Sequence, residues 1–339
     1  MTQGEDVILP RQLFDTSQVP EADRFDLWAD FTADTNPTTI DREAGLPFAA
    51  TAQLIPLGEL LLASFRYPSL RLRRNARHIR QADPEIYHLA LPIVGFSAIR
   101  QARNEAILDR AGFTFFDTSR PYEAEHRTDG EQPTSTICLQ IPHGRLPLPA
   151  TAVRRLLASV VPADQGTGVL LARFLDRLVR HPDQYAAEDA ERLGTLAIDL
   201  ACTALARRAD VEHALTVETR ERTARLGVVE FIERHLADPD LNPRGIAAAQ
   251  HISLRTLHRL FAEDDESVAG LIRRRRLERC RRDLLNPLLA DRPVHAVASR
   301  WGFRDPAHFS RAFRTAYGMS PRQLRAAVTA RPAPRGDLR

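Results

Sequence analysis

Arg255, Thr256, His258 and Arg259 fall in one short stretch, ISLRTLHRLF, and Arg304, Ala307, His308, Arg311 and Arg314 fall in a second about 50 residues later. On a helix, residues three and four apart share a face. The polar set and the set Leu254, Leu257, Leu260 and Phe261 therefore point opposite ways, as do His308, Arg311 and Arg314 against Phe309, Phe313 and Tyr317. A guanidinium donates two parallel hydrogen bonds to the O6/N7 edge of guanine, so the chemistry open to these faces is base reading in duplex DNA. Arg276 and its neighbours Arg273, Arg274, Arg275, Arg279, Arg281 and Arg282 lie between the stretches and are candidates for phosphate contacts, which position without specifying sequence. No catalytic motif is present: there is neither a G-x-S-x-G nucleophile turn nor a phosphate-binding glycine loop.

These faces need helices to carry them, and the local signals supply them. Asn242-Pro243 caps and starts a short helix through Ile246–Gln250, and Ser253 caps the next, up to Asp264. The pattern recurs with Val294–Ala298, a stop at Gly302, and Asp305-Pro306 opening a second outward-reading helix. Between the two units runs SVAGLIRRRRLERCRRDLL, about 28 Å long if helical. Val268, Leu271 and Ile272 point one way along it and Leu277, Cys280 and Leu284 the other, so it is expected to pack half on each unit and hold them apart.

Charge divides the chain in the same place. Residues 1–219 carry 23 arginines against 30 acidic residues, whereas residues 220–339 carry 24 against 14, and there is no lysine. A basic C-terminal module on an acidic partner module fits a polyanion binder joined to something else. The three cysteines are isolated, so neither a disulfide framework nor a thiolate zinc site is expected. No signal segment or run of 18 apolar residues appears, and a cytoplasmic protein without membrane contact is expected.

The N-terminal part reads differently. From about 49 to 139, short β-favouring runs alternate with Gly, Pro and Asn breaks, as in a β-barrel or sandwich. Phe25, Trp28 and Phe31 form the apolar side of a short helix before it, and leucines three and four apart predict helices over about 152–207, including 152–161. The fold class is thus α+β. A β-barrel with flanking helices occupies residues 1–210, a linker 211–222, an all-α double helix-turn-helix domain 223–330, and a disordered tail 331–339. The leucine-rich helices either form a dimer face or pack on the barrel.

The C-terminal residues resemble the AraC/XylS family of bacterial regulators. The carrying motifs are Ile246-Ala247, Ile252 to Phe261, Val297-Ala298 through Gly302-Phe303, Phe309 to Arg314, and Gly318-Met319-Ser320-Pro321 to Leu324-Arg325. The resemblance implies a seven-helix domain whose third and sixth helices enter the major groove, with Ser320-Pro321 and Leu324-Arg325 shaping the last helix. Asp264-Asp265-Glu266 departs from the family, which usually has glycine after the first reading helix. Less specifically, Arg24 to Trp28 and Phe116 to Tyr122 are similar to a cupin-like effector and dimerisation domain in this family. That likeness implies a small organic effector inside the barrel, with Tyr87, Phe96, Phe113, Phe115 and Tyr122 as candidate contacts. It further implies duplex DNA, a second copy of the chain and RNA polymerase as partners, and activation more than repression. Two other readings stand beside it. One is a constitutive dimeric DNA binder with no effector. The other is a cupin-type metalloenzyme using His78, His88, His126 or His143, which their spacing of about ten or more residues disfavours, so no metal or cofactor is expected.

Overall fold

The computed structural model describes residues 8–42, 45–108, 112–128, 132–211, 214–262, 264 and 266–329. It divides into two units, Met1–Thr223 and Ala224–Arg339. The tail expected over 331–339 lies outside the described residues, as does Asp265.

In the first unit, β1 (Gln12–Asp15), β3 (Thr51–Leu57), β4 (Leu60–Tyr67), β6 (Ile86–Val94), β9 (Gly112–Asp117), β11 (Thr134–Pro142) and β12 (Ser159–Pro162) form a seven-stranded sheet in the order β1-β3-β4-β11-β6-β9-β12. β2 (Thr39–Arg42), β5 (Leu70–Arg74), β7 (Phe96–Gln101), β8 (Asn104–Leu108) and β10 (Tyr122–Arg127) form a second sheet, β2-β5-β10-β7-β8. The paired strands are antiparallel throughout. The architecture is α+β with a cupin-like first unit, but the strands stay in two sheets and do not close into the expected barrel. Alanines and other small side chains let the sheets face one another: Ala63, Ala90 and Cys138 from the larger meet Ile99 and Ala124 from the smaller.

The helix α1 (Arg24–Ala33) packs Trp28 against Phe14, Phe31, Phe48, Phe65 and Tyr67. After the short α2 (Ala76–Gln81), the helices α3 (Ala150–Leu156), α4 (Gly166–Arg180) and α5 (Ala190–Arg208) follow the sheets. Residues 159–161, expected in a helix, instead pair with β9 as β12, because Ala158 turns the chain at φ +47 and a β-branched pair follows. α5 lies so close on β3 that a Cβ at Gly194 would sit 2.2 Å from the Leu57 carbonyl oxygen. Leu171, Leu175, Leu178, Leu193, Leu200 and Leu205 are accordingly buried and build the core of the unit. Arg74 is also buried, its guanidinium donating to the carbonyls of Thr118, Pro37 and Ala82 at 2.7, 2.7 and 2.6 Å.

Residues 217–222 of the expected linker are helical, being the start of α6 (Val217–His235). They are held by Asp199 of α5, which accepts from Thr219 Oγ1 at 2.9 Å and pairs with Arg222. The second unit comprises the rest of α6 with α7 (Pro243–Ala249), α8 (Leu254–Leu260), α9 (Val268–Leu285), α10 (Val294–Arg300), α11 (Pro306–Tyr317) and α12 (Pro321–Thr329). α9 serves two cores. Val268, Leu271 and Ile272 join Val228, Ile232, Ile246 and Leu257, whereas Leu277, Cys280 and Leu284 join Val297, Phe303, Phe309 and Phe313.

Candidate nucleic-acid interface and effector cavity

The two helix pairs α7–α8 and α10–α11 repeat one design. Asn242 Oδ1 accepts the Gly245 N–H at 3.0 Å with Pro243 in the first turn of α7, and Ser253 Oγ accepts the Thr256 N–H at 3.0 Å to start α8. In the second pair, Asp305 Oδ1 accepts the Ala307 N–H at 2.8 Å and Pro306 follows it. Each inter-helix turn passes through left-handed backbone, at His251 (φ +53) and at Gly302 (φ +78). The apolar sides of α8 and α11 are seated by Leu257 and by Phe309 and Phe313, which are buried. Arg255, His258 and Arg259 on α8, and Ala307, His308, Arg311 and Arg314 on α11, are exposed on the opposite sides. Thr256 is half-buried and its hydroxyl is 2.8 Å from Ser253 Oγ, so it supports the cap. Arg304 is exposed and paired with Asp240 at 2.6 Å, both ends in water. Such a surface pair contributes little to stability and exchanges readily for a phosphate.

Four of the arginines of α9 behave otherwise, while Arg273, Arg281 and Arg282 are exposed. Arg276 Nε donates to Leu236 O at 3.0 Å, one Nη to Gly302 O at 3.3 Å and the other to Asp238 O. It is therefore a clamp between the α6–α7 loop and the α10–α11 turn, where three carbonyls take up the guanidinium expected to meet a phosphate. Arg274 pairs with Glu266 and Glu278, Arg275 with Glu233 and Glu278, and Arg279 with Glu233. The acidic residues after α8 are likewise engaged, Asp264 with Arg225 at 2.9 Å and Glu266 with Arg274 at 2.9 Å.

In the first unit, a cavity of about 150 Å³ lies between the sheets beneath α1. Trp28, Phe31, Leu54, Phe65, Leu72, Ile99 and Phe116 give it apolar walls, and Asn36, His88, Tyr122, His126, Thr136 and Gln140 supply polar atoms. Burial holds His88 and His126 neutral, each lowered to about 4, with Arg74 adding to the effect at His88. Tyr122 is pushed up to about 12 by burial. A wider groove of about 790 Å³ along Arg73, Arg100, Arg103 and Glu123 is polar and open to solvent.

The AraC-binding-like domain matches residues 35–206, which is 172 of the 339 residues. The chain belongs to the AraC family of transcriptional regulators. A helix-turn-helix domain matches residues 246–327 of this AraC-family chain. Transcriptional activator NphR of a Rhodococcus species is 28% identical to it over 268 residues, covering 78% of this chain and 77% of that protein. The HTH-type transcriptional activator RhaS of Klebsiella pneumoniae is 36% identical over 117 residues, 34% of this chain and 40% of its own. In fold, the chain is similar to the AraC-like transcriptional activator CuxR, with a TM-score of 0.51 at 20% identity over 79% of this chain and 94% of that one. The AraC-family regulator thus has its DNA-binding helices in the second unit and a ligand-binding type of domain in the first.

Of the five aromatics expected to contact an effector, Tyr122 alone lines the cavity of this regulator. Phe113 and Phe115 are buried on the other face of β9, Tyr87 stacks on Phe115 and His143 at 5.0 and 4.2 Å, and Phe96 sits at the start of β7 outside the cavity. Successive strand residues face opposite sides, so the cavity takes their neighbours in sequence, His88 and Phe116. The histidines weighed as metal ligands go separate ways. His78 Nδ1 meets its own helix cap at Asn75 N, His126 Nδ1 meets Ser97 Oγ at 2.9 Å, and His143 Nε2 meets Asp117 at 3.0 Å. Among the described residues no three His, Cys, Asp or Glu side chains gather as a metal site, and no helix is long and apolar enough to cross a membrane.

Proposed function

We propose that this regulator reads operator DNA with Arg255, His258 and Arg259 on α8 and with His308, Arg311 and Arg314 on α11, and that occupancy of the cavity by a small organic effector changes transcription. The observation carrying this reading is the repetition of one capped, core-seated helix with an exposed basic face on either side of α9. α9 has 18 residues, about 27 Å of helix, close to the roughly 34 Å between successive major grooves. Thr256 and Arg304 act beside these faces, the first by fixing the cap and the second by turning from Asp240 to a phosphate. Activation is the favoured direction, since NphR and RhaS both carry that description. A cytoplasmic homodimer that engages RNA polymerase completes the reading.

Genome-wide mapping of bound sites supplies the operator. On it, Arg255→Ala, Arg259→Ala and Arg311→Ala are each expected to weaken specific binding by about 1–3 kcal/mol, the magnitude of one bidentate pair of hydrogen bonds to a base. Footprints unchanged in all three variants would overturn the assignment. An operator affinity indifferent to every compound in a broad panel would favour the constitutive reading.

A further inference from the structure

The composition of the cavity selects among ligands, an argument that rests on reading the cavity as the effector site. Among the described residues no arginine, aspartate or glutamate lines it, and its apolar walls include the rings of Trp28, Phe31, Phe65 and Phe116 beside aliphatic side chains. A volume of about 150 Å³ is that of a cavity which, lined with apolar side chains, accepts one benzene ring. An ammonium placed here would lose its hydration and find no opposite charge, and for a carboxylate the one nearby cation, Arg74, has its guanidinium already engaged by the carbonyls of Thr118, Pro37 and Ala82. A sugar would leave most of its hydroxyls facing hydrocarbon.

Polar atoms reach the cavity from both sheets and from Asn36 after α1, and three of them lack partners, two of these in one cluster. His88 Nε2 and Asn36 Oδ1 are shut off from solvent with no hydrogen bond among the described residues. Both belong to the same cluster: His88 stands edge-on to Phe116 at 5.0 Å, Phe116 lies 4.9 Å from Tyr122, and the Tyr122 hydroxyl accepts from Asn36 Nδ2 at 2.8 Å. Buried polar groups are nearly always paired, so two orphans joined through Phe116 and Tyr122 in the cavity lining mark where another molecule completes the network. A third orphan, Thr136 Oγ1, is four residues along β11 from Gln140, which pairs with His88 in register. That is about 13 Å along the strand, beyond the reach of the same polar head.

Asn36 Oδ1 needs a donor, and a neutral imidazole nitrogen offers either an N–H or a lone pair. A single hydroxyl both donates and accepts, so it answers both atoms at once. We propose that the cavity takes an uncharged, one-ring aromatic alcohol, its ring among Trp28, Phe65 and Phe116 and its hydroxyl between His88 and Asn36.

The test is calorimetric titration of the full chain with benzyl alcohol, toluene and benzoate, with folding of each variant checked by far-ultraviolet circular dichroism. Benzyl alcohol is expected to bind about tenfold or more tightly than toluene, and benzoate not measurably. His88→Phe and Asn36→Leu should each erase the preference for the alcohol over toluene, and Cys138→Phe, which fills the cavity, should abolish both. Benzoate binding as well as the alcohol, equal binding of alcohol and toluene, binding that survives Cys138→Phe, or no binding of any probe would overturn the proposal. Alcohol binding without any change in operator affinity would keep it and overturn the effector reading. An operator response to an anionic or multi-ring compound, lost in Cys138→Phe, would do the reverse.

Discussion

Between roughly pH 7.5 and pH 5 the first unit is expected to lose about 4 kcal/mol of folding stability through two histidines. His88 and His126 stay neutral in the folded chain down to about 4, against an ordinary value of 6.5. Their folded pKa values are depressed, so below 6.5 the unfolded chain binds protons that the folded chain refuses. Stability is full above 6.5 and falls as the pH drops toward 4. The cause at both is burial. At His88 the nearby Arg74 guanidinium adds to it, whereas at His126 Glu125 partly opposes it. The lowered carboxylates of Asp15, Glu125, Glu218 and Asp305 titrate below this window, while His78, lowered from 6.5 by burial and by Arg74 and Arg77, adds to the loss with the same sign. Urea unfolding followed through Trp28 at a series of pH values measures the slope. His88→Phe should halve it, and a flat profile in the parent chain would contradict the assignment.

Removing the Arg276 guanidinium should cost the second unit on the order of 3 kcal/mol. Arg276→Met leaves the carbonyls of Leu236, Asp238 and Gly302 without their donors, and hydrogen bonds from a charged group contribute about 1.5–3 kcal/mol each where water cannot replace them. The site is half-buried, so water recovers part of that sum. Because the clamp joins the loop before α7 to the turn before α11, the variant should also weaken binding to any operator that needs both helices. Arg276→Lys separates this from a phosphate role. Lysine keeps the charge and would restore a phosphate contact, but it cannot span three carbonyls as the planar guanidinium does. Both variants are expected to unfold at lower urea, read by Trp301 fluorescence. A Lys variant with parental stability, together with a salt dependence reduced by about one in the Met variant alone, would return Arg276 to the phosphate backbone.

A second demand falls on the same clamp. The Arg276 guanidinium covers Gly302, where a Cβ would stand 2.8 Å from its carbon, and Gly302 has φ +78. Glycine there satisfies the turn and the close approach together, while His251 takes the matching turn of the first pair at φ +53 with its side chain in solvent.

By itself the sequence determined the second unit well, because its signals are local. The caps at Asn242, Ser253 and Asp305, the prolines after two of them, and the i, i+3, i+4 stripes of α8 and α11 each act within one or two turns of chain. The reversal of apolar direction along α9 belongs to the same class, and it foretold two cores on one helix. Only the tertiary structure decided which side of each strand faces the cavity. The larger sheet is covered by α4 and α5 on one face and by the smaller sheet on the other, and all six residues of β9 are buried. With both faces apolar, the alternation that betrays an inner face is erased. Phe113 and Phe115 thus looked as good as Phe116, and His88 looked like no more than a histidine without a metal partner. The role of Arg276 was hidden for a related reason: a guanidinium in an arginine run reads the same whether it meets a phosphate or three carbonyls brought from 40 residues before it and 26 after. Those distant acceptors exist only once the chain has folded.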